Sequence, residues 1–265
     1  MRLENKKILI TGAAGFLGSK IVETLLDEKA YCLLLDKNYE QLKKIKYRLN
    51  QKNYYNFSIF KVDITSEKQV KKSFQIINEK YKKLDGILNF AAIDPKVNKK
   101  SKLLSSFEKT NLKELKLQID VGIYGLVLLT KYYISLLKKS HLASVVNIAS
   151  DLSVISPDHR IYGKKGGVAI SKPISYSIIK HGVVGFTKYL ATYYGKENIR
   201  FNCISPGGIY AGQPKSFLKK INKLVPMNRM GNVEDIKYAI VHLLSSESKY
   251  TNGVNLIIDG GRSIW

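Results

Sequence analysis

The chain has 265 residues, 45% of them hydrophobic, and a formal net charge of +23 at pH 7. No apolar run reaches the ~20 residues that a membrane-spanning helix needs. The two cysteines exclude a disulfide framework and a cysteine metal cluster. The chain also starts without the apolar segment and cleavage site of a signal peptide, so we expect a cytoplasmic protein with no metal site.

The positive charge by itself would suit a nucleic-acid-binding protein. However, only six of the 44 basic residues are arginine, the side chain that such proteins use for bidentate contacts, and the lysines are scattered along the chain. We therefore expect a solvated, lysine-rich surface with no specific nucleic-acid partner and no membrane partner. A weak, salt-sensitive affinity for polyanions stays open.

The first predicted element is a strand at 6–11, followed by T-G-A-A-G-F-L-G and then a helical pattern. Strand, glycine turn and helix together form the context of a dinucleotide-binding fingerprint. Gly12 permits the tight turn, Gly15 lets the backbone approach a pyrophosphate and Gly18 allows close packing of helix on strand. The amides at the helix start face an anion. The cofactor contacts expected here are Gly12, Gly15, Phe16, Leu17 and Gly18; a glycine turn without a ligand is the alternative.

A second buried strand, 31–35, ends in Asp36. An acidic side chain at this place accepts hydrogen bonds from the adenosine ribose and repels a 2′-phosphate. This predicts a preference for NAD(H), although the adjacent Lys37 leaves NADP(H) open. The alternative is that Asp36 caps the next helix.

The third and fourth strands, 57–62 and 84–90, are also followed by candidate cofactor contacts. Asp63 is placed to accept from the adenine amino group with Ile64 packed beside it, unless it opens the following helix. After the fourth strand comes N-F-A-A, where Asn89 and Ala91 allow a ribose close to the backbone. The loop 94–110, rich in lysine and serine, either borders the substrate or is a plain surface loop.

The remaining pattern continues to alternate strands and helices. Helices are predicted at 115–138, 176–194 and 233–244, and strands at 145–149, 200–205 and 255–258. This alternation predicts an α/β fold: a Rossmann-like doubly wound parallel sheet of about seven strands with helices on both faces, in one domain, 1–265. The apolar helix 115–138 is either an oligomer interface or buried within the domain. Ligands are expected beyond the carboxyl ends of the strands.

Between the fifth and sixth strands lie the residues expected to carry the chemistry. Ser150 ends the strand, and Tyr176 and Lys180 lie four apart, on one face of a helix. A positive charge beside a phenol favours the phenolate, so the pair forms an acid/base unit. A serine hydroxyl at the strand end can bond the oxygen that the phenol protonates.

With these motifs together, the chain resembles the short-chain dehydrogenase/reductase family over nearly its whole length. The resemblance rests on the glycine turn, Asp36, Asp63, N-F-A-A, N-I-A-S, Y-S-I-I-K, N-C-I-S-P-G-G-I and the terminal D-G-G. It implies that Tyr176 donates and accepts the proton, that Lys180 holds the nicotinamide ribose and that Ser150 orients the substrate oxygen. It further implies a homotetramer or homodimer, a lid at about 208–226, and nicotinamide contacts from Pro206, Gly207 and Ile209.

Three departures from the family pattern carry information. The glycine spacing T-G-x-x-G-x-x-G is that of sugar-nucleotide epimerases and dehydratases. Gly122 stands where the family has an asparagine of its proton relay. Ser150 and Tyr176 are 26 residues apart, about twice the distance common in the family. The enlarged loop 151–175 contains Arg160 and Lys164, which could bind a substrate anion or simply lie on the surface. These features are similar to a subgroup associated with bacterial nonulosonic-acid and flagellin-glycan pathways.

The resemblance therefore implies an NAD(H)-dependent oxidoreductase that interconverts a secondary alcohol and a ketone. Its substrate would be a sugar, sugar phosphate or nucleotide sugar. An NAD-dependent sugar-nucleotide epimerase or dehydratase, and an NAD-binding regulator or scaffold with impaired catalysis, remain as alternatives.

Overall fold

The computed structural model describes residues 1–94, 107–162, 164–165, 168–169 and 171–265, and within 163–170 it describes only the backbone. Most of the predicted loop 94–110 and the side chain of Lys164 lie outside the described residues.

Seven parallel strands form one sheet, which confirms the predicted fold class. Their order is β3-β2-β1-β4-β5-β8-β9. The short strands β6 and β7, of two residues each, form a separate two-stranded antiparallel sheet. The interior strands are rich in Val, Ile and Leu and almost wholly buried, as expected for a parallel sheet covered on both faces. The strands are β1 Lys7–Thr11, β2 Tyr31–Asp36, β3 Phe57–Lys61, β4 Gly86–Asn89, β5 Ala143–Ile148, β6 Lys164–Lys165, β7 Val168–Ala169, β8 Ile199–Pro206 and β9 Asn255–Ile258.

Helices cover both faces of the sheet. They are α1 Gly18–Asp27, α2 Tyr39–Gln51, α3 Glu67–Tyr81, α4 Leu112–Ile119, α5 Gly125–Leu137, α6 Ile174–Tyr194, α7 Lys215–Ile221 and α8 Glu234–Leu244. The first, second and eighth pack in one apolar cluster through residues such as Ile21, Leu42 and Ile240. The third, fifth and sixth pack on the opposite face through residues such as Val70, Tyr133 and Leu190. The order of the strands reverses between β1 and β4, which opens a crevice at their carboxyl ends.

The predicted helix 115–138 is longer and less regular than its apolar pattern indicated. It begins at Leu112 and contains a π-helical turn, Asp120–Tyr124, between α4 and α5. Leu112–Leu137 is long and apolar enough to span a membrane by length and composition, with a mean hydropathy of 1.3. Because Leu129 and Tyr133 are fully buried against the sheet, we interpret it as a core helix with one free face.

The enlarged loop and the predicted lid touch each other. The Tyr162 and Phe217 rings are 5.8 Å apart between centroids, and Lys220 Nζ donates to the Arg160 carbonyl at 3.3 Å. Between 208 and 226 the chain also forms α7, which its sequence pattern had not indicated.

Candidate functional site

The glycine turn is shaped by close backbone approaches. Gly12 has φ +63°, and a Cβ there would lie 2.7 Å from the Ala91 nitrogen. A Cβ at Gly18 would collide with the Gly12 carbonyl oxygen, so the first turn of α1 packs directly on the loop. Only glycine fits both positions, which leaves the backbone amides at the start of α1 accessible to an anion.

The Asp36 carboxylate lies beside this turn. Its two oxygens accept hydrogen bonds from the Ala14 amide at 3.0 Å and the Asn38 amide at 2.9 Å. The alternative that Asp36 caps α2 is wrong, because Asn38 is the N-cap and accepts from the Gln41 amide. A carboxylate has about four acceptor positions, so Asp36 retains capacity for ribose hydroxyls.

A cavity of about 290 Å³ opens at the carboxyl ends of β1, β2, β3 and β4. Its size fits the adenosine half of a dinucleotide, and its lining combines the acidic side chains of Asp36 and Asp63 with small residues. Asp63 lines it and also accepts from the Thr65 amide and hydroxyl at 3.0 and 2.7 Å, so it shapes the turn before α3 as well. The cavity residues that the sequence predicted are Gly12, Gly15, Asp36, Asp63, Ile64 and Ala91.

The other predicted cofactor contacts are placed differently. Phe16 is 44% exposed, with Lys20 Nζ 4.7 Å from its ring centroid, and Leu17 is the N-cap of α1, so neither belongs to the cavity lining. Pro206 ends β8. A Cβ on Gly207 would lie 2.8 Å from the Asp259 Cα, so this glycine allows the P-G-G-I and D-G-G segments to meet. Ile209 is partly buried next to them.

A buried chain of hydrogen bonds joins the cofactor cavity to α6. Thr11 Oγ1 donates to Asn89 Oδ1 at 3.3 Å, and Asn89 Nδ2 donates to Asn147 Oδ1 at 2.8 Å. Asn147 Nδ2 then donates to Thr187 Oγ1 at 2.9 Å. Because each member is buried and satisfied, the chain fixes the register of β1, β4 and β5 against α6. Asn89 thus has a structural role in addition to its predicted place beside a ribose.

Ser150, Tyr176 and Lys180 converge beyond the carboxyl end of β5. Lys180 is 6% exposed, its Nζ donates to the Ile148 carbonyl at 2.8 Å, and it lies 5.6 Å from the centroid of the Tyr176 ring. Burial raises the pKa of Tyr176, the negative charge of Asp94 raises it further, and a hydrogen bond with Ser150 lowers it. Burial also lowers the pKa of Lys180 to about 8. The three groups can therefore exchange a proton with a substrate oxygen placed among them.

The sequence did not indicate what holds Ser150. Its Oγ donates to Asp151 Oδ1 at 2.8 Å, and Asp151 Oδ2 is 2.7 Å from Arg262 Nη1. Asp151 and Arg262 are 2% and 8% exposed, so this is a buried ion pair between the end of β5 and the C-terminal segment. No local pattern links two residues 111 positions apart; the only hint is that Asp151 directly follows Ser150.

Two further charged residues near Tyr176 were also missed. Lys172 precedes α6 and lies over the tyrosine ring, in an ion pair with Asp94, which follows β4.

Arg160, in contrast, forms an ion pair with Asp158 at 2.7 Å and its side chain is 87% exposed. The hydrogen bond and charge of Arg160 lower the pKa of Asp158 to about 2, so the carboxylate competes with a substrate anion for this guanidinium. Within the described part of the chain, no group of side chains could hold a metal ion.

The comparisons with known proteins identify the family. A family model described as Enoyl-(Acyl carrier protein) reductase matches residues 12–263. The mitochondrial borneol dehydrogenase of Lavandula x intermedia is 31% identical over 268 residues, which cover 99% of this chain and 92% of that protein. The chain belongs to the short-chain dehydrogenase/reductase family, and it is a dehydrogenase/reductase.

Three individual proteins are similar to this chain over nearly its full length. Post-translational flagellin modification protein A of Campylobacter coli is 29% identical over 259 residues, 98% of each chain. A short chain dehydrogenase from Leptospira borgpetersenii, solved with bound NAD+, has a TM-score of 0.84 and 33% identity over 99% of this chain and 94% of that one. A putative D-mannonate oxidoreductase from Haemophilus influenza, with bound NAD, has a TM-score of 0.85 and 26% identity over 100% and 97%.

Proposed function

We propose that the protein is an NAD(H)-dependent oxidoreductase that interconverts a secondary alcohol and a ketone on a sugar derivative. The observation that carries the proposal is the convergence of Ser150, Tyr176 and Lys180 at the sheet edge that also holds the dinucleotide cavity. An acid/base group and a cofactor cleft at one edge are what a hydride-transfer site requires.

In the oxidative direction the tyrosine takes the proton. The Tyr176 phenolate accepts it from the substrate hydroxyl, and the Lys180 ammonium stabilises the phenolate. Ser150 exchanges its bond to Asp151 for one to the substrate oxygen, which supports the charge that develops there. Bound NAD+ supplies the acceptor for the hydride leaving the carbon.

The preference for NAD(H) rests on Asp36. Its carboxylate is anchored by two backbone amides at the rim of the cavity, so it is already oriented toward the position of an adenosine ribose. A 2′-phosphate at that position would face a fixed negative charge. The relatives solved with bound NAD+ and NAD support the same choice.

A sugar substrate in surface-glycan biosynthesis is supported by two relatives. One is a flagellin modification protein and the other is a putative D-mannonate oxidoreductase. The enlarged loop and the segment 208–226 meet through Tyr162 and Phe217, so together they can cover a polar substrate larger than a simple ketone. We assign these two segments to substrate binding, with Lys164 as a candidate contact to the substrate. We further propose that the enzyme is cytoplasmic.

The free face of the helix Leu112–Leu137 supports a homodimer or homotetramer. Exposed apolar side chains lie along it and along α6, among them Tyr124, Val127, Tyr189 and Tyr193. An apolar surface of this kind on adjacent helices is characteristic of subunit contacts. Light scattering on the purified protein measures the assembly directly.

The function is tested by a nicotinamide absorbance screen against hexoses, hexose phosphates and nucleotide sugars, in both directions and with both cofactors. We expect turnover with NAD(H), its loss in Tyr176→Phe, and unchanged NADH binding in that variant. Turnover near wild type in Tyr176→Phe would refute the assignment. A product formed without net NADH change would indicate an epimerase or dehydratase instead, and NADH binding with no turnover across the panel would indicate the impaired regulator.

A further inference from the structure

Lys172 lies directly over the ring of the proposed catalytic tyrosine. Its Nζ is 3.9 Å from the centroid of the Tyr176 ring, nearer than that of Lys180 at 5.6 Å. The Lys172 side chain is only 9% exposed. A lysine usually keeps its ammonium in water, so burial of this one over an aromatic face calls for a physical reason.

Two features fix the position of Lys172. Its Nζ is 2.5 Å from Asp94 Oδ1, and Asp94 follows β4 on the cofactor side of the site. Pro173 comes next in the chain and is the N-cap of α6, which favours an extended backbone at the residue before it. Lys172 is thus held outside the helix, folded back over a tyrosine in the first helical turn.

We propose that Lys172 is a positioning residue that stabilises the phenolate form of Tyr176 from the face of its ring, and that Asp94 holds it there. A cation over an aromatic face is attracted by the electrons of the ring, and the attraction grows when the ring itself carries negative charge. Lys180 acts on the same phenolate from within α6, so the site has two ammonium groups with different anchors.

Several groups around Tyr176 disfavour its phenolate. Asp94, Asp151 and Tyr162 all act to raise the pKa of Tyr176, in addition to the effect of burial. The Arg262 guanidinium is already paired with Asp151. Burial lowers the pKa of Lys180, Asp94 raises it, and repulsion from Lys172 lowers it to a smaller extent. In the proposal, Lys172 and Lys180 both offset the groups that disfavour the phenolate.

The test uses Lys172→Met, which keeps the length of the side chain and removes its charge, with Lys172→Arg as the matched control. The full-length protein is labelled with [13Cζ]tyrosine in the presence of saturating NAD+, and the Tyr176 resonance is assigned as the one missing from Tyr176→Phe. Titration runs from about pH 6 to about pH 11, around the ordinary ionisation of tyrosine near ~10. No substrate is needed, so the result is independent of whether turnover on a sugar is found.

We expect the Tyr176 titration to move up by about one pH unit in Lys172→Met, which is the lower end of the effect of a nearby opposite charge. Lys172→Arg should titrate like the wild type. Lys172→Gln, a second neutral variant for the case that Lys172→Met does not fold, should move the titration up in the same direction because it also removes the charge over the ring. Curves of the wild type and of the folded neutral variant that coincide over the whole range would overturn the proposal.

The proposal rests on the proposed function only for its effect on turnover. Given any active substrate, the acidic limb of the kcat profile for alcohol oxidation should move by the same about one pH unit in Lys172→Met, with full activity recovered at high pH. A loss of activity at every pH together with a raised KM would show that Lys172 binds the substrate, and would contradict a role through Tyr176.

Discussion

The close packing around Gly122 predicts how an added side chain would change the free energy of unfolding. Gly122 lies in the π-helical turn before α5, and a Cβ on it would lie 2.5 Å from Ile179 Cγ2 and 3.1 Å from Ile179 Cδ1. Ile179 thus occupies the space next to this turn, one residue before Lys180. A β-branched side chain in a helix has essentially one favoured rotamer, so it cannot turn away cheaply.

We therefore expect Gly122→Ala to destabilise the protein in one background and to stabilise it in another. In the wild type, overpacking of about 1–3 kcal/mol outweighs the ~1 kcal/mol that alanine gains over glycine in a helix. In Ile179→Ala the clash is gone, and the same substitution should raise the free energy of unfolding by about 0.5–1 kcal/mol relative to Ile179→Ala alone.

Urea unfolding of the four proteins, followed by circular dichroism, gives the coupling energy of the double-mutant cycle. We expect a coupling above about 1 kcal/mol with reversal of sign between the backgrounds. Equal effects of Gly122→Ala in both backgrounds would refute the reasoning, because Ile179 would then not be the group that keeps position 122 free of a side chain.

Two other predictions follow from the polar contacts. Asp36→Asn keeps an acceptor for the Ala14 amide but removes the negative charge. The ratio of the NADP(H) to NAD(H) dissociation constants should therefore fall about tenfold, or ~1.4 kcal/mol, when both are measured by fluorescence. An unchanged ratio would show that the ribose binds elsewhere. Arg262→Met leaves the buried Asp151 carboxylate without its cation and should lower the free energy of unfolding by about 3–5 kcal/mol. The double variant Asp151→Asn/Arg262→Met should regain most of that loss. A small loss in the single variant would contradict the role of the buried pair.

The sheet and the position of its ligand edge were predictable because both follow from local patterns. A short, largely apolar run of four to six residues that ends at Asp36 or Asn89, or leads into Gly12, identifies a buried strand and its carboxyl end, and parallel strands bring those ends to one edge. The irregular π turn was not predictable from the same evidence. The apolar spacing through Ile119, Ile123 and Leu126 fits a regular α-helix, so it does not indicate the extra residue of the π turn.

The charged surroundings of the site were not predictable for a different reason. An ion pair between distant segments depends on how the segments fold over the edge of the sheet, and the pairs of Arg262 with Asp151 and of Lys172 with Asp94 join residues with no local relation. For Arg160 the sequence does contain a local signal. The carboxylate of Asp158 stands two positions before Arg160, and such a neighbour competes with a substrate for the guanidinium, so the role of Arg160 in substrate binding stays a prediction.

Two ion pairs lie next to the proposed catalytic residues: the Asp151–Arg262 pair is buried, and in the Lys172–Asp94 pair the carboxylate is exposed. Asp151 accepts a hydrogen bond from the Ser150 hydroxyl and is fixed by Arg262, whereas Asp94 fixes Lys172 over the ring of Tyr176. A buried pair contributes little to stability once its desolvation is counted, so its retention is better explained by what it orients. In the proposed function the Asp151–Arg262 pair orients the Ser150 hydroxyl, and the Lys172–Asp94 pair places a positive charge over the Tyr176 ring. The anchors come from the segment after β4 and from the C-terminal segment, so the geometry of the proposed acid/base site depends on how both segments fold over the sheet.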